Sequence, residues 1–238
     1  MSITTTLPTP EAVLQLEPEE LAAYVLKHVA TDRNYLNLTN FMSDSLARHY
    51  RNDEGVLNAL LEAWAWLVRE GLLVEKDRHG GVFISRRGQR IQSRQDFDAF
   101  RRSNVLPKAS LHPIVAERVW PNFIRGEYET AVFQAFKEVE VAVRAAGAFA
   151  PTDIGTDLMG KAFNHERGPL ADQGLPEAER RAMLALFSGA VGLFKNPSSH
   201  RHVTLTNPHE AAEMISFASL LLRIVDSRMA ANGGRTSA

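Results

Sequence analysis

Apolar residues recur at helical spacing over most of the chain. Leu21, Val25 and Val29 share one face of a helix predicted to run from Glu17-Pro18-Glu19-Glu20 to about Ala30. Its start is marked by a proline suited to the first turn and by acids that favour the positive end of the helix dipole. A second helix is expected after Thr39, with Phe41, Met42 and Leu46. A third runs from about Asp53 through Glu70, with Asn52 as its cap and Gly71 behind it. Its apolar set is Val56, Leu57, Leu60, Leu61, Trp64 and Leu67. The period then changes. L-L-V-E-K, the turn D-R-H-G-G and V-F-I-S read as a β-hairpin.

Helical spacing returns in the second half. L-H-P-I-V-A-E-R-V-W-P-N-F predicts a short helix ended by Pro121. Tyr128, Val132, Ala135, Phe136 and Val139 form the stripe of a long amphipathic helix, flanked by Glu138 and Glu140. A short helix over T-D-I-G-T-D-L-M-G-K-A-F, a loop and a helix opened by Pro176 follow. Asn207-Pro208-His209-Glu210 starts the last helix, about 208–229, which is apolar around much of its circumference. Such a helix is central in its bundle or lies in an interface. The fold class expected is mainly α. A helical domain with a small β-hairpin over 11–102 is followed by a linker over 103–110 and a bundle of four or five helices over 111–230.

The 238 residues leave ample sequence for a core. Apolar residues make up 45% and charged residues 23%, and the net charge of −1 gives no global attraction to polyanions, so any such binding rests on local patches. Without cysteine, disulfides, thiolate metal sites and a Cys nucleophile are excluded. The start M-S-I-T-T-T-L-P-T-P lacks the features of a signal peptide, and no apolar run is long enough to span a membrane. A cytoplasmic protein is therefore expected. No P-loop, dinucleotide fingerprint or H-E-x-x-H motif occurs, so neither a cofactor nor a metal is expected.

Charge is unevenly placed. Residues 11–70 hold ten acids against five Lys or Arg; residues 76–102 reverse this, with eight Lys or Arg against three acids. Arg78, Arg86, Arg87 and Arg90 in this basic stretch are candidate phosphate contacts. Equally, they form a solvated face or a protein-docking surface. Three helices, a hairpin and R-R-G resemble a winged helix over roughly residues 11–95. A DNA-reading winged helix presents basic and polar side chains on its third helix. Here that helix carries Glu54, Glu62, Glu70, Trp64 and Trp66, which argues against sequence-specific reading of the major groove.

The candidate chemistry lies in F-S-G-A-V-G-L-F-K-N-P-S-S-H-R-H, residues 187–202. Phe187, Ala190, Val191 and Phe194 share a face. Gly189 and Gly192 interrupt the helix at about 1 kcal/mol each, which suggests close packing against a neighbour. Asn196-Pro197 ends the regular pattern. Lys195, Asn196, Ser198, Ser199, His200 and Arg201 therefore crowd one helix end. A cation, an amide and an imidazole in one turn suit phosphate binding and proton transfer. They also suit plain helix capping by Lys and His, with Asn-Pro-Ser-Ser as turn residues. Both readings stand at this point. Glu138 reads either as a solvated side chain or as a carboxylate that orients His200.

K-N-P-S-S-H resembles the R-x(4–6)-H signature of the HEPN superfamily, with Lys195 where Arg is usual. F-S-G-A-V-G-L-F-K-N-P-S-S-H-R and E-A-A-E-M-I-S-F-A-S-L-L-L-R-I-V-D resemble more narrowly the Ymh family of bacterial HEPN-like proteins. The resemblance covers about 110–230. It implies a homodimeric helical bundle that cleaves RNA without a metal, with His200 moving protons and Lys195 supplying charge. Asn196 would orient the imidazole or bind phosphate, with Arg201, Ser199 and Glu138 on the substrate side. A role in defence or as a toxin, with an inhibitory partner, is the associated expectation. The alternative is a non-catalytic module for nucleotide or nucleic-acid binding, or for dimerisation.

Overall fold

The computed structural model describes residues 6–31, 33–76, 79, 81–195 and 204–235. The protein is mainly α, with one two-stranded antiparallel hairpin among the described residues. Its chain divides into two compact units, 1–98 and 99–238.

Unit 1 begins with α1 (Pro10–Gln15) and α2 (Pro18–Val29). Each has proline in its first turn, where a missing N–H leaves no helical bond unmade. Two short helices, α3 (Leu38–Phe41) and α4 (Asp44–His49), stand where one was expected. The chain leaves the helix at Met42 and re-enters after Ser43, whose backbone is extended.

The third predicted helix is α5 (Glu54–Arg69). Its cap is Asp53, whose carboxylate accepts from the Val56 N–H at 3.2 Å. Asn52, the expected cap, instead takes a left-handed conformation with φ 57°. Leu21, Val25 and Leu26 of α2 are buried, as are Leu60, Trp64 and Leu67 of α5, and the two helices pack together. Trp64 stacks on Phe41 at 5.1 Å and Trp66 meets Phe97 at 5.7 Å. Burying a side chain of this kind contributes about 1.5–3 kcal/mol. Both tryptophans are thus core residues rather than part of an outward recognition surface.

Strands β1 (Leu73–Glu75) and β2 (Val82–Ile84) pair antiparallel, with Leu73 opposite Ile84 and Glu75 opposite Val82. The preceding segment extends the pairing: the Val82 N–H donates to the Leu36 carbonyl at 2.8 Å, and Asn37 Nδ2 donates to the His79 carbonyl at 2.9 Å. A 3-10 turn over Gly88–Arg90 follows. A Cβ on Gly88 would lie 2.7 Å from the Leu72 carbonyl oxygen, so only glycine lets this turn close on the strand. Next comes α6 (Arg94–Val105), and the division between the units falls within it, after Asp98.

Unit 2 continues with α7 (Pro113–Arg118) and α8 (Trp120–Arg125). Pro121 does not end a helix, as the pattern suggested; it sits in the first turn of α8, and the break falls at Val119. The remaining helices are α9 (Tyr128–Ala146), α10 (Gly155–Ala162), α11 (Glu177–Ala190) and α12 (Pro208–Arg235). The long helices α9 and α12 pack together, burying Ala135, Phe136, Val139 and Val143 from one and Ile215, Ala218, Leu222 and Val225 from the other. The apolar last helix is therefore central to its bundle. His112 ties the start of the unit to its end. Its backbone N–H donates to Ser219 Oγ at 2.7 Å, and its ring Nε2 lies 2.8 Å from Asp226 Oδ2.

Candidate functional site

The stretch that carries the candidate chemistry begins as α11 and ends in a π turn, Val191–Lys195. Such wider turns are rare and recur at functional sites. Phe187 and Val191 are fully buried, and Ala190 nearly so. Phe187 stacks on Phe163 at 4.1 Å, and Phe194 stacks on Phe136 at 4.9 Å beside Phe217. The predicted apolar face is thus the buried one. The two glycines differ from expectation. Nothing lies within 4 Å of where a Gly189 Cβ would stand, so close packing does not explain that glycine. At Gly192 the nearest atom is Thr156 Cγ2 at 3.4 Å.

Packing of the π turn against α9 brings Lys195 to Glu140, with Nζ 2.7 Å from Oε2. The same oxygen accepts from the Gly155 N–H at 2.7 Å, and Oε1 accepts from Arg144 Nη2 at 2.7 Å. Gly155 takes the left-handed conformation, φ 62°, which a residue with a Cβ enters at a cost. Arg144 is held in turn by its Nε bond to the Asp153 carbonyl at 2.8 Å. Lys161 Nζ reaches Asp153 Oδ1 at 2.5 Å. Three cations thus meet two carboxylates at one end of α9.

Burial pushes the Glu140 carboxyl up. The Lys195 hydrogen bond, the Gly155 N–H, the Lys195 charge and the Arg144 hydrogen bond outweigh it, and the group is held below the usual glutamate range. Glu140 is therefore ionised at neutral pH although only 4% exposed. The Lys195 side chain is itself only 15% exposed. Its charge is matched by a fixed partner, which holds its ammonium at the end of the π turn.

Of the predicted site residues, Lys195 and Glu138 lie among the described residues; Asn196, Ser199, His200 and Arg201 lie outside them. Glu138 is buried rather than solvated. It accepts from Arg118 Nη1 at 3.1 Å and Gln134 Nε2 at 2.5 Å. The carboxylate that meets the motif is Glu140, two residues on. The sequence cue for it was Arg144 one turn later, which marks an ion pair on α9 but not which acid faces the motif. In the basic stretch, Arg86, Arg87 and Arg90 are exposed on the turn after β2, and Arg78 lies outside the described residues. Among the described residues no helix is long and apolar enough to cross a membrane.

Unit 2 is a helical bundle with a buried cluster of charged side chains where the motif helix ends. Residues 109–225 match the profile of the family described as Protein of unknown function (Hypoth_ymh), so this part of the chain is a Ymh-family domain. No curated protein and no solved structure matches the chain.

Proposed function

We propose that the Ymh-family domain is a HEPN-type bundle that cleaves RNA without a metal, as a homodimer. The observation that carries this reading is the buried Glu140, which fixes Lys195 at the end of the π turn, directly before Asn196 to Arg201. Burying a carboxylate is costly unless its partners are well placed. A helix end that only needs capping does not call for that expense.

Residue roles follow from the chemistry of RNA. The 2′-oxygen bonds to the adjacent phosphorus as the bond from phosphorus to the 5′-oxygen breaks. His200 takes the 2′ proton, and a second His200, from the other copy, delivers a proton to the departing 5′-oxygen. Asn196 orients the imidazole or the phosphate. Arg201 and Ser199 bind the phosphate, with Arg201 adding the two-pronged geometry that lysine lacks. Lys195 anchors the segment through Glu140. Unit 1 is a winged-helix-like module that docks a partner or touches phosphates through Arg78, Arg86, Arg87 and Arg90. A role in bacterial defence or as a toxin, with an inhibitory partner, follows by analogy alone.

One observation favours a second reading. Lys195 is mostly buried and its charge is matched by Glu140, as in a structural turn of a non-catalytic nucleotide-binding or dimerisation module. RNA cleavage by the purified protein in EDTA separates the two. In the enzymatic reading, cleavage survives chelation, is lost in His200→Ala, and is retained in Lys195→Arg, which keeps the ion pair. If wild type and His200→Ala are equally inert on varied RNAs while folded and dimeric, the second reading replaces the first.

A further inference from the structure

Unit 1 holds a cavity of about 540 Å³ between α2 and the chain that leads from β2 into α6. Small-molecule sites span about 300–1,000 Å³. Ala23 and Ala30 line the cavity with little side chain.

The chemistry of the lining is one-sided. Leu26, Ile84, Ile91 and Phe97 make it apolar, and the ring of Tyr24 adds a second aromatic surface to that of Phe97. The charged residues that line it are Lys27 and Arg94; no acid is among its described lining residues. Arg94 is partly committed. Its Nε meets Asp98 at 3.2 Å, its Nη1 reaches the Glu20 carbonyl at 3.4 Å, and its guanidinium lies 5.6 Å from the centre of the Tyr24 ring. Lys27 makes no ion pair among the described residues. A largely apolar cleft lined by Tyr24 and Phe97, with the exposed Lys27 among its lining residues and no acid there, suits a planar apolar body with one negative group.

We propose that this cavity binds a small aromatic acid, its ring between α2 and Phe97 and its acid group on Lys27. The site is independent of RNA cleavage by unit 2 and stands whether or not that activity is found.

The test uses the full chain and three matched probes: 2-naphthoate, the neutral 2-naphthalenemethanol and the cationic 2-naphthylmethylamine. Calorimetry gives affinity, and alanine-methyl NMR gives location. The expected result is saturable binding of 2-naphthoate, about tenfold or more tighter than either other probe, with shifts at the Ala23 and Ala30 methyls. Lys27→Glu changes an exposed side chain and should leave folding intact; it is expected to remove the preference for the acid. Ala23→Phe, checked by circular dichroism, should block all three probes. The proposal is overturned by no saturable 2-naphthoate binding, by equal affinity for acid and alcohol, by shifts confined to other alanines, or by an unchanged preference in Lys27→Glu.

Discussion

His28 in unit 1 and Glu140 in unit 2 are both buried, at 3% and 4% exposure, and both have a lowered pKa. The causes are opposite. His28 has the Thr6 hydroxyl at 2.6 Å from Nδ1 and stacks on Tyr35. Burial alone drives its shift, by disfavouring the imidazolium. For Glu140 burial works the other way, and three donors overcome it. One unit buries a group by keeping it neutral; the other buries a charge by surrounding it. The same direction of shift thus conceals two designs, and only the second leaves a charged side chain at a place where substrate chemistry has been proposed.

The largest expected effect comes from Glu140→Ala, which leaves Lys195 and Arg144 without their carboxylate. Breaking a buried pair from one side costs about 3–5 kcal/mol. Hydrogen exchange resolved by peptide should show this loss across α9, α10 and α11, with α2 and α5 unaffected. An effect below about 1 kcal/mol would mean that the charges re-solvate and that Glu140 belongs with ordinary surface pairs.

The two designs also separate with pH. His28 has a folded pKa below its unfolded value of 6.5. Its effect is to lower stability as pH falls from about that value toward the folded one, below which the effect is constant. Glu140 has a folded pKa below its unfolded value of 4.5. Its contribution is fully present above that value and is lost as pH falls through the folded one. Amide protection followed against pH should therefore weaken in unit 1 first, at mildly acidic pH, and in the α9 cluster only in stronger acid. His28→Gln should remove the first step and leave the second. A first step that survives in His28→Gln would contradict the assignment.

A smaller effect sharpens the contrast between carboxylates. Asp53 is exposed and accepts one backbone N–H at the start of α5. Asp53→Ala should cost about 1 kcal/mol, the usual worth of a cap. Urea denaturation should place it well below Glu140→Ala.

Local features were legible in the sequence wherever a local rule decides them. The proline-led start of α2, the stripe of α5 and the register change into the hairpin all depend on residues within a few positions. So do the start of α12 at Asn207-Pro208 and the mainly α class. The misses lie where a neighbour decides. Pro121 could end one helix or open the next, and the break at Val119 chose the second. Asn52 and Asp53 are both good caps, but Asn52 was taken for the left-handed turn before α5. The partner of Lys195 lies 55 residues away in sequence. Glu138 and Glu140 point about 200° apart around α9, so choosing between them needs the rotation of that helix within the bundle. No periodicity carries that information.

The clasp at His112 has a consequence for the order of events during synthesis. Its bonds reach Ser219 and Asp226, 107 and 114 residues further on. The core of unit 2 likewise needs α12 against α9. Until residue 226 has left the ribosome, α9 has no α12 to cover its apolar stripe. Unit 1 closes its core by Phe97, so it can be complete while its neighbour is still being made. The apolar stripe of α9 is thus exposed to chaperones, and to wrong partners, while the chain from Ala146 to Asp226 is made.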